Sequence, residues 1–224
     1  MPLKIEVEEV LEWYKKNGIP LERTKIYLCD KLENVTDGEG GMFLPRSYEG
    51  YVLLVQDENE VLARYVHESA HGSFFENFPI GQTLATLDRE VYDLEKSLFG
   101  DEKIENIIVI EKELTNSQSK KLSKKEIEAS GIESLFKNRP VYEIDKKHFG
   151  SYREKASRLK NLQSALIPHI EGFSLLVEEE ILGRITRTVS KDYYIEGYNL
   201  LKPLKENGFS SVVDYLKRLN VSDF

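Results

Sequence analysis

The chain has 224 residues, 40% hydrophobic and 10% aromatic, enough for one moderate domain or two small ones and too apolar for a disordered chain. Its net charge of −8 argues against a general nucleic-acid surface, which needs a concentrated positive field. No apolar run reaches membrane-spanning length, Met1 to Lys16 lacks the pattern of an export signal, and the lone Cys29 excludes an intrachain disulfide, so a cytoplasmic setting is expected.

Val7, Val10, Leu11 and Tyr14 stand at helical spacing and predict a first helix over Val7–Lys16, ended by Asn17-Gly18. Lys25–Cys29 reads as a strand, Asp37–Gly41 as a turn, Met42–Pro45 as resumed extended chain, and Tyr51–Val55 as the clearest strand. The next segment, Val61–Phe75, has no proline and reads as a helix, with Asp57, Glu58 and Glu60 suited to the positive end of its dipole.

That helix contains His67-Glu68-Ser69-Ala70-His71. Residues four apart share a helix face, so the two imidazoles aim at one point. A catalytic zinc ion takes three protein ligands and keeps one position open, and Glu68 stands where it can accept a proton from water. Ser69 and Ala70 are small and leave the helix free to pack beside a metal. The pattern predicts metal-assisted hydrolysis; two solvated or core histidines are the plain alternative.

Leu84–Phe99 carries Leu84, Leu87, Val91, Leu94 and Leu98 on one side and predicts a helix; Asn106–Ile110 is strand-like. Thr115–Lys125 reads as solvated chain, its Lys120, Lys121, Lys124 and Lys125 as exposed charge rather than a binding patch. Capping boxes at Ser123–Glu126, Ser130–Glu133 and Ser151–Glu154 each predict a helix start. From Ser151 the pattern is helical, broken near Pro168, which suits a first turn. Ile170–Thr188, about Ser190–Asn207 and Ser211–Leu219 complete the helices. The expectation is an α+β chain in three parts: 1–78 with a small sheet and the histidine helix, 79–150 as an inserted mixed segment, and 151–224 as a helical part.

A third ligand must come from His148, His169, Cys29 or a carboxylate. The segment His169-Ile170-Glu171-Gly172-Phe173-Ser174-Leu175-Leu176-Val177-Glu178 resembles the gluzincins, the thermolysin-like and aminopeptidase-like zinc metallopeptidases, whose second helix carries Glu-Gly-Phe-Ala or a near variant. The resemblance implies a zincin-like fold, a Zn2+ cofactor held by His67, His71 and Glu171, Glu68 as general base, and a peptide or small protein as substrate. Glu178 matches a second glutamate two turns later. Gly172 and Ser174 would let this helix approach the histidine helix closely. The resemblance also implies that Tyr51–Val55 is the edge strand that pairs with an extended substrate. Tyr194-Ile195-Glu196-Gly197 is similar to a Tyr-x-x-Gly pattern of such families, which makes Tyr194 the candidate to stabilise an oxyanion, with Tyr193 and Tyr198 as neighbours. Two departures stand out: about a hundred residues separate His71 from Glu171, and Phe173-Ser174 replaces Phe-Ala. The resemblance covers residues 25–75 and 169–197.

Two other readings use the same motif. A deformylase-like amidohydrolase would take Cys29 as third ligand, although Tyr27-Leu28-Cys29-Asp30 lacks that family's Gly-Cys-Leu-Ser context and Cys29 reads as a buried strand residue. A zincin fold kept as a binding or regulatory module would have no use for the intact Glu68. His169 reads as a helix-start or packing residue.

Overall fold

The computed structural model describes residues 7–31, 40–115, 117–129, 139–185 and 192–224. In chain order these form α1 (Val7–Lys16), β1 (Lys25–Cys29), β2 (Gly41–Leu44), β3 (Glu49–Leu53), α2 (Glu58–Asn77), α3 (Pro79–Phe99), β4 (Ile108–Lys112), β5 (Ser119–Lys121), α4 (Lys124–Ala129), β6 (Val141–Asp145), α5 (Lys146–Leu182), α6 (Asp192–Lys205) and α7 (Phe209–Arg218). The protein is α+β, with two small sheets among helices. No described helix is long and apolar enough to cross a membrane.

The chain divides into two compact units, one running through Thr86 and resuming at Asn161, the other spanning Leu87–Lys160. The expected first and third parts therefore share a unit. The divisions fall within α3, after Thr86, and within α5, after Lys160. Each unit holds a sheet of the same topology. In the first, β3 lies between a parallel β1 and an antiparallel β2; in the second, β6 lies between a parallel β4 and an antiparallel β5.

The strand expected at Tyr51–Val55 begins two residues earlier and is the centre of its sheet, which corrects its reading as an edge. Lys25–Cys29 pairs along one side of it and Gly41–Leu44 along the other, so β1 and β2 are the edges. Helix α2 follows, with the Asp57 side chain accepting the backbone N–H of Asn59 at its start (2.9 Å). From Val66 to Glu76 every residue of α2 is buried, which is why the segment shows no amphipathic stripe.

Three contacts fix α2. A Cβ on Gly72 would fall 2.3 Å from Thr24 Cγ2, so only glycine lets the β1 approach lie against the helix. Phe74, Phe78 and Phe173 pack at ring distances of 5.3–6.1 Å and join α2 to α5. The Glu76 carboxylate accepts the backbone N–H groups of Glu22 and Arg23 (2.7 Å each) and both the N–H and hydroxyl of Thr24 (3.1 and 2.9 Å).

Several expectations are corrected. Helix α5 runs unbroken through Pro168. Leu162, Leu166, Ile170, Phe173 and Val177 form one buried stripe across the proline, and burying five such side chains at about 1.5–3 kcal/mol each outweighs the proline's cost of about 3 kcal/mol. Ser151 lies inside α5, whose start is capped instead by Asp145: its carboxylate accepts the N–H groups of Lys147 and His148 and contacts His148 Nδ1. The expected solvated stretch contains β5 and the start of α4. The Ser123–Glu126 capping box forms, with Glu126 accepting both the N–H and hydroxyl of Ser123 (2.8 and 2.7 Å). A hydrogen bond from Lys120, then those from Ser123, hold the Glu126 carboxyl down at about 2. The Ser130–Glu133 box, most of the Asp37–Gly41 turn and the expected helical residues 186–191 lie outside the described residues.

Candidate metal centre

Helix α2 offers His67 and His71 from one face, one turn apart, with ring centroids 4.6 Å apart and ring planes nearly perpendicular. Both side chains are buried. Helix α5 delivers Glu171, whose Oε2 lies 3.2 Å from His67 Nε2 and 3.7 Å from His71 Nε2. Ligands about 2.0–2.1 Å from a metal in tetrahedral array stand about 3.3 Å from each other, so these spacings match three corners of such a site. Among the described residues, these three form a group able to hold a metal ion, their donor atoms within 4.8 Å of one another. Two imidazole nitrogens and one carboxylate oxygen are a donor set that suits zinc and its first-row neighbours.

The histidines are held from behind by the helix that carries Glu171. Glu178 Oε1 lies 2.7 Å from His67 Nδ1, and Ser174 Oγ lies 3.2 Å from His71 Nδ1. Glu171, Ser174 and Glu178 follow one another at spacings of three and four residues, which puts all three on one face of α5. A carboxylate beside Nδ1 accepts its proton, so His67 turns the lone pair of Nε2 toward Glu171. Glu178 and Ser174 are fully buried and form part of the closed wall of the site. Tyr14 adds support from α1, its hydroxyl donating to the carbonyl of Val66 (3.2 Å); burial raises that phenol well above its usual pKa.

Glu68 is buried beside the first histidine and lies against β2. A Cβ on Gly41 would fall 2.4 Å from Glu68 Oε1, and one on Gly50 would fall 3.4 Å from Glu68 Cβ. The two glycines thus open the sheet face on which this carboxylate rests. On the same face Phe43 stacks on Phe75 (5.6 Å) and tilts against His71 (6.4 Å), walling the histidine side with aromatic surface.

Helix α6 closes on α5 backbone to backbone. A Cβ on Gly172 would fall 2.3 Å from the Gly197 carbonyl, and one on Gly197 would fall 1.7 Å from the Pro168 oxygen. Gly172 therefore serves the α6 contact rather than the approach to α2 expected from sequence. One turn before Gly197, the Tyr194 ring stands 6.3 Å from that of His67, with Tyr193 4.8 Å beyond it. Tyr198 faces elsewhere, hydrogen-bonded to Glu179 and beneath the Lys202 ammonium.

Of the other candidates, Cys29 is half-buried on β1 and stands outside the metal-holding group. His169 is a packing residue within α5, its Nε2 3.2 Å from Tyr215 Oη and its ring against Phe224; burial lowers its pKa against the opposing pull of Glu196. His148 caps α5. The sequence reading missed the Ser174–His71 contact and the role of Gly41. Ser174 stood out as a departure from Phe-Ala and as a small residue allowing close approach, and Gly41 only as part of a turn. No protein-family model, curated protein or solved structure matches the chain.

Proposed function

We propose that the chain is a zinc-dependent metallopeptidase of the gluzincin type, acting on a peptide or small protein in the cytoplasm. The observation that carries this reading is the convergence of His67 Nε2, His71 Nε2 and Glu171 Oε2 at tetrahedral spacings, with the buried Glu68 next to His67 on the same helix. A structural metal site has no need of a buried base at its side, whereas hydrolysis does.

Bound zinc would supply Lewis acidity, polarising a water molecule and the scissile carbonyl. The remaining work belongs to the chain. Glu68 takes the proton from the attacking water and passes it to the leaving amine. Tyr194 donates its phenolic proton in a hydrogen bond to the developing oxyanion. The edge strand β2, rather than β3, offers main-chain N–H and C=O groups to an extended substrate, with Gly41 next to Glu68.

The test is the metal content of protein purified without added metal, together with Glu68→Gln and Glu171→Gln. The expected result is about one zinc per chain, sharply reduced in Glu171→Gln, with peptide hydrolysis in the wild type and a loss of about 10²–10⁴-fold in Glu68→Gln at unchanged zinc. Retention of more than about a few per cent of activity in Glu68→Gln removes that glutamate as the base. Zinc binding with no turnover of a broad peptide library would point to a binding or regulatory module instead.

A further inference from the structure

We propose that Ser174 is a positioning residue of the metal centre, fixing His71 in the tautomer that presents its Nε2 lone pair to the metal. The inference rests on reading the site as a metal centre but does not require that it hydrolyse peptides.

A serine hydroxyl has one proton to give and lone pairs to offer. Ser174 Oγ lies 3.0 Å from the Ile170 carbonyl, which can only accept, so that contact consumes the proton. Its second contact is His71 Nδ1 at 3.2 Å. Toward that nitrogen the hydroxyl has only a lone pair left. His71 Nδ1 must therefore carry the hydrogen, and Nε2 is left as an acceptor facing Glu171.

The surroundings make the choice firm. Ser174 is fully buried, and an Nδ1–H pointed at a methyl there would lose its acceptor. Serine back-bonded to the preceding turn slightly weakens a helix, so at a buried position the hydroxyl has a cost that only a second bond offsets. It also stands where the resembling families carry alanine, which has no such bond to give. The two histidines are thus backed unequally, His67 by the carboxylate of Glu178 and His71 by a neutral hydroxyl.

Ser174→Ala tests the inference, read by nitrogen-15 spectra of the histidine rings in metal-free protein above pH 7.5 and by zinc affinity in a chelator competition. Ser73→Ala is the control, since Ser73 is equally buried on α2 and donates its hydroxyl to the Ile19 carbonyl. The expected result is a pure Nδ1–H tautomer of His71 in the wild type and in Ser73→Ala. In Ser174→Ala, Nε2–H should appear and zinc affinity should fall about tenfold or more. An unchanged tautomer with affinity within about twofold in Ser174→Ala would overturn the proposal, as would an Nε2–H tautomer in the wild type. A chain that binds no zinc overturns it together with the metal reading. A chain whose zinc affinity follows Ser174 but which cleaves no peptide leaves it standing and removes the peptidase.

Discussion

Glu178 Oε1 lies 2.7 Å from His67 Nδ1, and the carboxylate that makes this contact has no exposed surface. A buried carboxylate behind a ligand imidazole orients the ring and raises its basicity. Glu178→Ala should therefore weaken zinc binding by about 10–100-fold. It should also lower stability by about 1–3 kcal/mol, because His67 Nδ1–H loses its buried acceptor. Glu178→Gln keeps an acceptor oxygen but loses the charge, so its affinity should fall between wild type and alanine. Chelator competition and urea denaturation on the same three proteins check both numbers; equal affinity in all three would show that the contact does not serve the metal.

Gly41 faces Glu68 rather than the three candidate ligands. A methyl there would meet the end of the Glu68 side chain, a flexible group that can yield by rotating, rather than backbone. Gly41→Ala should leave zinc stoichiometry intact and change stability by less than about 1 kcal/mol. The displaced base should lower kcat by about 10–100-fold with KM little altered, since geometry in the reaction coordinate is lost and not substrate binding. Steady-state kinetics separate the two constants.

The elements of the first unit were legible because each rests on a local signal. Lys25–Cys29 is a short run of strand-forming side chains, Asp57 precedes the helix as a cap, and His67 and His71 stand one turn apart. Glu171 was legible through a motif. What was not legible depends on partners distant in sequence. Whether Tyr51–Val55 lies at an edge depends on which strands join it, and β1 enters from more than twenty residues upstream. Pro168 reads locally as a break, yet the burial stripe from Leu162 to Val177 holds the helix through it. Gly172 and Gly197 gave no sign of each other, because a backbone contact between two glycines has no side-chain pattern.

The second anchor of α6 is electrostatic and carries a pH signature. Lys205 Nζ lies 2.7 Å from Glu179 and 2.9 Å from Glu180. The hydrogen bond from Lys205 lowers the Glu179 carboxyl below its usual 4.5, against some burial. Burial pulls the Lys205 ammonium down, but its bonds to Glu179 and Glu180 outweigh that and raise it above 10.5. A depressed acid contributes stability above its unfolded pKa and loses it as pH falls through the folded value; a raised base contributes below its unfolded pKa and loses it as pH rises through the folded value. The tie thus holds fully between pH 4.5 and 10.5. The stability difference between wild type and Lys205→Met, from urea midpoints across pH, should be constant inside that window and shrink at both ends. A difference that persists well below pH 4 would mean that Lys205 acts through packing of its stem.

At the other anchor, a methyl has nowhere to go. Alanine at 197 would meet the Pro168 carbonyl and the Gly172 nitrogen, both backbone atoms of a helix that cannot rotate away. Gly197→Ala should cost about 1–3 kcal/mol or more through overpacking, well beyond the small gain that alanine brings to an ordinary helix interior. Tyr194 sits one turn earlier on α6, so the displacement should reach the site. Tyr194→Phe removes only the hydroxyl and should lower kcat by about 10²–10³-fold with stability nearly unchanged. If Gly197 acts on turnover through Tyr194, the double variant should be no slower than Tyr194→Phe alone, although it should be as unstable as Gly197→Ala. Multiplying kinetic losses in the double variant would mean that α6 affects the site by another route, with Glu171 the nearest, since it adjoins Gly172.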